Sequence, residues 1–467
     1  MPPATLQRLA ARDPRRYPLL LDSAATGPLG QVSLLLALPR AALWLTAEGR
    51  LEAEGLRPSG TGFLAALEAW WRSEIPAAGS LAAERLPLGA HAGVRSGAAA
   101  FAGGWALYLG YELAQEIEPH LQLPPAPLPW QAFALRTPCA LLHDHADDRV
   151  YAVAEDGCAS EVERVVADAR AAAREEPIGA ALAVEAVLEE EPAAFLGRVR
   201  RAQEYVRAGD VYQANLSRPW TVELATSAHG GTDSAAATLY QRLRAANPAP
   251  FAALAQWRGV ALLCSSPERL VRVSGRQVDT RPIAGTRPRS RLPAADAAEM
   301  SALAAHPKER AEHVMLIDLE RNDLGRVCEA GSVHVDELMS IESYAHVHHI
   351  VSNVSGILRP EVTPIGALRA VFPGGTITGC PKFRCMQIIA ELEGAGRGAY
   401  TGSLGYLTRD GRLDVNILIR TMTLAGRRVD FRAGAGIVAD SDPERELEET
   451  RAKARGLLRA FGGGHDA

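Results

Sequence analysis

The sequence predicts a loop-rich enzyme fold that mixes helices with strands, and three observations carry the prediction. Of 467 residues, 47% are hydrophobic and 22% charged, the balance of a chain that buries a large core. Glycine (42) and proline (30) are frequent but fall short of low complexity. Apolar residues recur with period two in some segments and at helical spacing in others.

Residues 1–150 read as mixed strand and loop. Runs such as Ser33-Leu-Leu-Leu-Ala37 and Ala42-Leu-Trp-Leu45 alternate with Gly and Pro. Leu123-Pro-Pro-Ala-Pro-Leu-Pro-Trp130 predicts an extended surface segment. Residues 158–192, rich in Ala, Glu and Arg, predict a helix and then a linker near Glu189-Glu-Glu-Pro192. Phe195, Val199, Ala202 and Val206 follow helical spacing, with Gly209 as a stop. In Val211-Tyr-Gln-Ala-Asn-Leu-Ser217 a strand is expected, with Tyr212, Ala214 and Leu216 on one face and Gln213, Asn215 and Ser217 on the other. Further strands are expected over 261–273 and 277–283, joined by a turn at Ser274-Gly275. Long helices are expected over 295–320 and 443–461, and the C-terminal Gly-Gly-Gly-His-Asp-Ala should fray.

A formal charge of −5 gives no basic footprint for nucleic acid or an anionic membrane. No apolar run approaches the ~20 residues of a membrane helix. The nearest, 32–45, carries Pro39 and Arg40. The N-terminal arginines precede no secretory pattern, so a cytoplasmic protein is expected. None of the six cysteines forms Cys-x-x-Cys, which suggests neither a disulfide framework nor a zinc site. Lys308, Lys382 and Lys453 are the only lysines beside 47 arginines. Where arginine is so favoured, a retained lysine marks a place suited to a compact ammonium.

Three constellations have chemical potential. Glu309 and Glu312 lie three apart on one expected helix, and Glu446 and Glu449 three apart on another, four residues before Lys453. Each pair shares a helix face. Two such faces turned together would suit Mg²⁺, which takes a few carboxylate oxygens and keeps waters. Spacing alone favours the plainer reading, a solvated helix face with Glu-to-Lys pairing. Pro373-Gly-Gly-Thr-Ile-Thr-Gly379-Cys-Pro-Lys382 and Ala433-Gly-Ala-Gly436 let backbone approach an anion, or are tight turns with no ligand. In Ser265-Ser-Pro-Glu268-Arg269 the glutamate follows a proline, and desolvation there would raise its pKa toward general-acid use. A surface Glu268 and a structural His349 are the plainer alternatives.

Together these segments resemble the chorismate-utilising enzymes, among them the large subunits of anthranilate and aminodeoxychorismate synthases and the isochorismate and salicylate synthases. The resemblance rests on Gly209–Arg218, Ser265–Arg269, Arg281-Pro-Ile-Ala-Gly-Thr-Arg287, Glu309–His313, Asp318-Leu-Glu-Arg-Asn-Asp323, Pro373–Lys382, Tyr400-Thr-Gly-Ser-Leu-Gly-Tyr406 and Glu446–Lys453, in family order over about 195–460. It implies an α+β fold: two packed antiparallel β-layers flanked by helices, with a central substrate cleft. Residues 1–190 would form the effector or partner side and 191–462 the chorismate-binding catalytic region. Glu312 and Glu449 would be Mg²⁺ carboxylates, with Glu309 and Glu446 beside them. Glu268 would protonate the departing 4-hydroxyl. Thr376, Tyr400, Arg420, Gly434, Gly436 and Lys453 would surround the substrate carboxylates, and His349 would lie near the ring, with Gln213, Ala284 and Thr286 completing the catalytic group.

The resemblance also separates members. Water-using relatives carry a lysine base at the position of Gln213, so glutamine points to ammonia as nucleophile. The chain has no Gly-x-Cys-x-Gly segment for glutamine hydrolysis, which implies a separate glutamine amidotransferase partner. Pro282-Ile-Ala-Gly-Thr286 resembles anthranilate synthase, whereas Asn247-Pro-Ala-Pro-Phe-Ala252, Gly110-Tyr-Glu-Leu113 and the Pro-rich stretch resemble aminodeoxychorismate synthase. The implied product is 4-amino-4-deoxychorismate, for 4-aminobenzoate and folate synthesis. Anthranilate is the alternative, and a non-catalytic paralogue a remote one. Many aminodeoxychorismate synthases have a nucleophilic lysine where Ala284 stands, so here two successive ammonia attacks are expected. Leu20-Leu-Asp-Ser23 resembles part of a tryptophan site of anthranilate synthases, making Ser23, Pro250 and Phe251 candidate effector residues or a packed remnant.

Overall fold

A computed structural model describes residues 4–25, 29–75, 84–87, 101, 103–174, 182–225, 232–290, 292–344 and 347–462. Among these, the strands assemble into two antiparallel sheets, of twelve and eleven strands. Leu34, Leu36, Tyr108, Phe133, Leu142 and Leu262 bury the sheets' facing sides. Helices cover the outer faces. Ala159–Ala172, Thr232–Ala246 and Pro443–Leu458 seal the larger sheet through Val162, Leu239 and Leu457. Phe63–Ser73, Pro307–Gly325 and Pro364–Val371 seal the other through Trp70, Ile317 and Leu368. Each such side chain, fully buried, contributes about 1.5–3 kcal/mol of hydrophobic free energy. The architecture is the expected α+β arrangement of two antiparallel layers with flanking helices.

Both sheets draw strands from either side of residue 190. Leu19–Asp22 pairs with Phe251–Trp257, and Gly104–Leu109 pairs with Ser403–Thr408. The segments 1–190 and 191–462 therefore share their sheets instead of forming separate ones.

Three local expectations are corrected. The single strand over 261–273 is two strands in different sheets, Val260–Ser266 in the larger and Arg269–Ser274 in the smaller. Pro267 between them has no N–H for a ladder, and the chain crosses from one layer to the other there. The single helix over 295–320 is two, Pro293–Ala305 and Pro307–Gly325. Pro307 forces His306 out of the helical region (φ −71°, ψ 114°), and the His306 ring then caps the second helix by accepting from Glu309 N–H at 3.4 Å. Residues 184–189, read as the approach to a linker, form an edge strand on Gln213–Leu224. Its Ala- and Glu-rich composition mimics a helix, and pairing with a neighbour decides otherwise. The Pro-rich stretch 123–129 is irregular and largely exposed, as expected. The C-terminal residues 463–467 lie outside the described residues.

Candidate active site

The site forms where the chain passes twice between the sheets. The outward pass is Ser265-Ser-Pro-Glu-Arg269. The return runs from Leu413–Asn416, in the smaller sheet, to Thr421–Ala425 in the larger. The two passes are tied together. Ser265 N–H donates to Arg420 O at 3.1 Å, Ile417 N–H to Glu268 O at 3.0 Å, and Ser266 Oγ to Ile417 O at 2.6 Å. Glu268 and Arg420 are thus brought together by layer crossings that no local sequence period encodes. Arg420 has φ +50° and Thr401, beside Tyr400, has φ +64°. Both are costly for residues with a Cβ, Thr401 most so because it is β-branched, and such strain gathers at functional sites.

Glu268 is 4% exposed, and its Oε1 is buried with no hydrogen-bond partner among the described residues. Burial raises its pKa to about 7; Thr376, the Ile283 backbone, Arg420 and Lys453 pull the other way without prevailing. The Thr376 hydroxyl, also buried, is a hydrogen-bonding neighbour of this carboxyl. This is the environment of a carboxyl that keeps its proton up to about pH 7.

The other residues converge on it. His349 sits on Val347–Ile357, opposite Thr286 in the ladder, with Nδ1 2.9 Å from Thr286 Oγ1. Burial first, then Arg420, lowers its pKa to about 3, so the ring is neutral, and its buried Nε2 has no partner. Ala284 lies in the same strand, Ile283–Pro288, opposite Ile350. Lys453 donates to Gly434 O at 2.9 Å and to Glu449 at 2.7 Å. Protein surrounds the Lys453 side chain, which is nonetheless 45% accessible, as for a group lining an open cleft. Burial lowers its pKa, and Glu449 outweighs burial so that the net shift is upward. Among the described residues the Arg420 guanidinium makes no side-chain hydrogen bond, and burial lowers its pKa against the attraction of Glu268.

Glycine is required on the floor. A Cβ at Gly434 would stand 2.6 Å from the Tyr400 hydroxyl and 2.7 Å from Leu216 O. One at Gly436 would strike the Gln213 amide at 2.3 Å. Gln213 is 7% exposed with an unpartnered Oε1, and Asn215 Oδ1 is likewise buried and unpartnered. Tyr400 is mounted on a buried ion pair: Arg397 lies 5.4 Å from its ring and meets Glu393, both side chains being inaccessible. Burial opposes the Glu393 charge, but Arg397 and Arg432 hold its pKa down at about 2. From the N-terminal region, Glu112 accepts from the backbone N–H groups of Arg397 and Gly398. The result is a cluster of two cations, an acid with a pKa near 7, a neutral imidazole and buried polar atoms that lack partners among the described residues.

Residues 54–459 match the model of a family described as chorismate binding enzyme. The chain belongs to that family. Anthranilate synthase component 1 of Streptomyces coelicolor is 44% identical over 383 residues, 77% of this chain and 73% of that protein. Aminodeoxychorismate synthase of Streptomyces griseus is 41% identical over 376 residues, 77% of this chain and 50% of that protein. The crystal structure of anthranilate synthase component I from Streptococcus pneumoniae superposes with TM-score 0.75 at 29% identity, covering 92% and 93% of the two chains. The chain spans about half to three-quarters of the length of the curated relatives it matches.

In this chorismate binding enzyme the four carboxylates expected to serve a metal remain on two helices, Glu309 and Glu312 on Pro307–Gly325, Glu446 and Glu449 on Pro443–Leu458. Among the described residues no three His, Cys, Asp or Glu side chains gather closely enough to hold a metal ion. Glu309 does border the site, since a Cβ at Gly285 would fall 2.9 Å from its Oε2. The donor set is hard oxygen, which fits a cation that keeps most of its water. No helix among the described residues is long and apolar enough to cross a membrane. Ser23 and Pro250 meet directly, Ser23 Oγ lying 3.4 Å from Pro250 O, and with Phe251 they line a cavity of about 570 Å³. Asp22, beside them, is used structurally by Arg244, Tyr240 and Ser33.

Sequence reasoning missed Glu112 and the Glu393–Arg397 pair beneath the site, gave no site role to Asn215, Glu320 or Asp323, and marked Lys382 only as a retained lysine. A signal existed for Glu320 and Asp323. They fall at i+3 and i+6 from Ile317, on the apolar face that also carries Leu316 and Leu324, where acids are out of place.

Proposed function

We propose that this chain converts chorismate and ammonia to 4-amino-4-deoxychorismate, with the ammonia delivered from glutamine by a separate amidotransferase subunit. The observation that carries the reading is Glu268: a buried carboxyl with a pKa near 7, flanked by Arg420 and Lys453. A dianionic substrate needs the two cations, and a departing hydroxyl needs the proton. Lys453, anchored on Gly434 and Glu449, would pair with a carboxylate. Arg420, whose guanidinium makes no side-chain hydrogen bond among the described residues, would take the other. Tyr400 and Thr376 offer hydroxyls, and the Gly434 and Gly436 floor admits the ring. His349, held neutral and oriented by Thr286, would donate or accept at Nε2 without adding charge.

Gln213 supports ammonia as the nucleophile. An amide is no base for water, whereas ammonia brings its own lone pair. Ala284 offers no nucleophile of its own, which fits attack at C2 by one ammonia and displacement at C4 by a second. Glu309, Glu312, Glu446 and Glu449 would hold Mg²⁺, whose contribution when bound is to neutralise substrate carboxylate charge. The Asn247-Pro-Ala-Pro-Phe251 segment favours the aminodeoxychorismate product. Pro282-Ile-Ala-Gly-Thr286 favours anthranilate, and relatives of both names match the chain. Tryptophan binding at Ser23, Pro250 and Phe251 belongs with that second reading.

Product identification decides between them. The purified chain is incubated with chorismate, Mg²⁺ and ammonium at mildly alkaline pH. Formation of 4-aminobenzoate after addition of a lyase supports the proposal, and fluorescent anthranilate without the lyase overturns it. Counting glutamine consumed per product under tight coupling, with the amidotransferase present, tests the double attack: a ratio of one throughout, with no 2-amino intermediate trapped, rejects it.

A further inference from the structure

Next to Glu268 lies a second buried acid that the mechanism above leaves idle. Glu320, on the helix Pro307–Gly325, is 4% exposed, and its Oε2 is buried without a hydrogen-bond partner among the described residues. Its charge and that of Glu268 oppose each other across the interior. The helix abuts the glycine turn that carries Thr376, because a Cβ at Gly375 would approach Leu319, the neighbour of Glu320, to 3.2 Å. Two hydroxyls accompany the acids. Thr376 is a hydrogen-bonding neighbour of Glu268 and Thr280 of Glu320, and both hydroxyls are buried. Each buried acid thus has a buried hydroxyl beside it. A hydroxyl accepts and donates at once, so this set is suited to passing a proton.

The remaining charged groups around Glu320 are Asp323 and Lys382. Lys382 donates to Asp323 and to Val371 O at 3.0 Å, its side chain 15% accessible and that of Asp323 4%. Arg326 and Cys380 also act on Asp323 or lie beside it. Burial, and then Asp323, raise the pKa of Glu320, while Lys382 opposes them. One of three lysines in an arginine-rich chain is thus spent inside the protein, compensating Asp323 and leaving Glu320 as the neutral acid.

We propose that Glu320 is a positioning residue that acts through Glu268: it stores a proton in the interior and returns it to Glu268 after each acid step. This rests on the reading of Glu268 as general acid. The protons balance. Glu268 gives its proton to the departing hydroxyl, the C–O bond breaks and water leaves. The Glu268 carboxylate takes the Glu320 proton by way of the Thr280 and Thr376 hydroxyls. Glu320 is reprotonated from solvent when product departs, and the nitrogen nucleophile releases one proton to solvent.

The test uses the full chain with Glu320→Gln, which keeps the shape and the neutral charge, and Thr280→Val, which removes one hydroxyl. Infrared spectra at pH 7 are expected to lose one protonated-carboxyl band in E320Q and none in T280V. Both variants are expected to lose about tenfold in kcat with KM for chorismate little changed. In E320Q the alkaline limb of the kcat profile is expected to move to lower pH, a shift that a merely structural role would not produce. An E320Q spectrum that keeps every such band, or an E320Q kcat profile superimposable on that of the parent, overturns the proposal. The infrared measurement needs no turnover. A chain that shows the band yet consumes no chorismate overturns the functional reading and upholds the stored proton.

Discussion

At Glu268, burial and nearby cations pull a proton in opposite directions, and burial wins. The pKa near 7 means that the acid form is available at neutral pH and is lost as pH rises through about 7. Chorismate-dependent kcat/KM in the free chain is therefore expected to fall along an alkaline limb near that value, read from a pH profile. Glu268→Gln should reduce kcat by roughly 10²–10⁴. The same substitution should stabilise the fold at high pH. The unfolded carboxyl ionises near ~4.3, so between that value and about 7 the native state alone keeps its proton and the native form grows relatively less stable. Above about 7 the buried carboxylate costs about 3 kcal/mol that glutamine avoids. Denaturant midpoints for the two proteins at pH 5 and pH 8.5 measure this, with the advantage of the variant expected mainly at the higher pH.

Two elements hold the site in shape, a strand and a short buried ladder of charges. The strand Arg428–Ile437 runs antiparallel to Gln213–Leu224, setting Gly434 opposite Ser217 and Gly436 opposite Asn215. Gly434→Ala would push a methyl into Tyr400 and Leu216, and a shift of that size is expected to cost about a hundredfold in kcat/KM for chorismate, measured by steady-state kinetics. Arg397 is the other support. It meets Glu393 with both side chains inaccessible, donates to Asn215 O at 2.7 Å and lies against Tyr400. Arg397→Met strands a buried carboxylate, an error worth roughly 3–5 kcal/mol, and Arg432 at 2.8 Å keeps the loss near the low end. Urea unfolding compares it with the Glu393→Met, Arg397→Met double variant, which should lose less, because the inaccessible carboxylate is gone and the Arg432 left behind still donates to Ser217 Oγ at 2.9 Å.

Over the whole molecule, the two sheets are each assembled from distant parts of the chain. Leu19–Asp22 sits between Phe251–Trp257 and Val32–Ala37, and Gly104–Leu109 between Ser403–Thr408 and Trp130–Thr137. A fragment of residues 191–462 keeps every proposed catalytic residue but exposes three strand edges that are paired in the whole chain and loses the N-terminal strands' share of the core between the layers. It is expected to lack the near-ultraviolet circular dichroism of a packed core and to aggregate. A soluble fragment with native-like dichroism would contradict this view of the fold.

The sequence by itself determined the glycine turns and the helical spacing of the four carboxylates, which are local, and its motif order carried the resemblance that implied the layered α+β class and Glu268 as the acid. Period-two and helical patterns also marked most elements, and they failed where proline broke one element into two or where an edge strand wore a helix-like composition. Only the tertiary structure decided that the chain crosses between sheets at Glu268 and again at Arg420, which removes Glu268 from water and gives it a proton to donate. The same was true of Glu320, Asp323 and Lys382, whose charges matter through the low dielectric around them. Burial and the company of distant residues are set by how layers close, and no one segment carries that information.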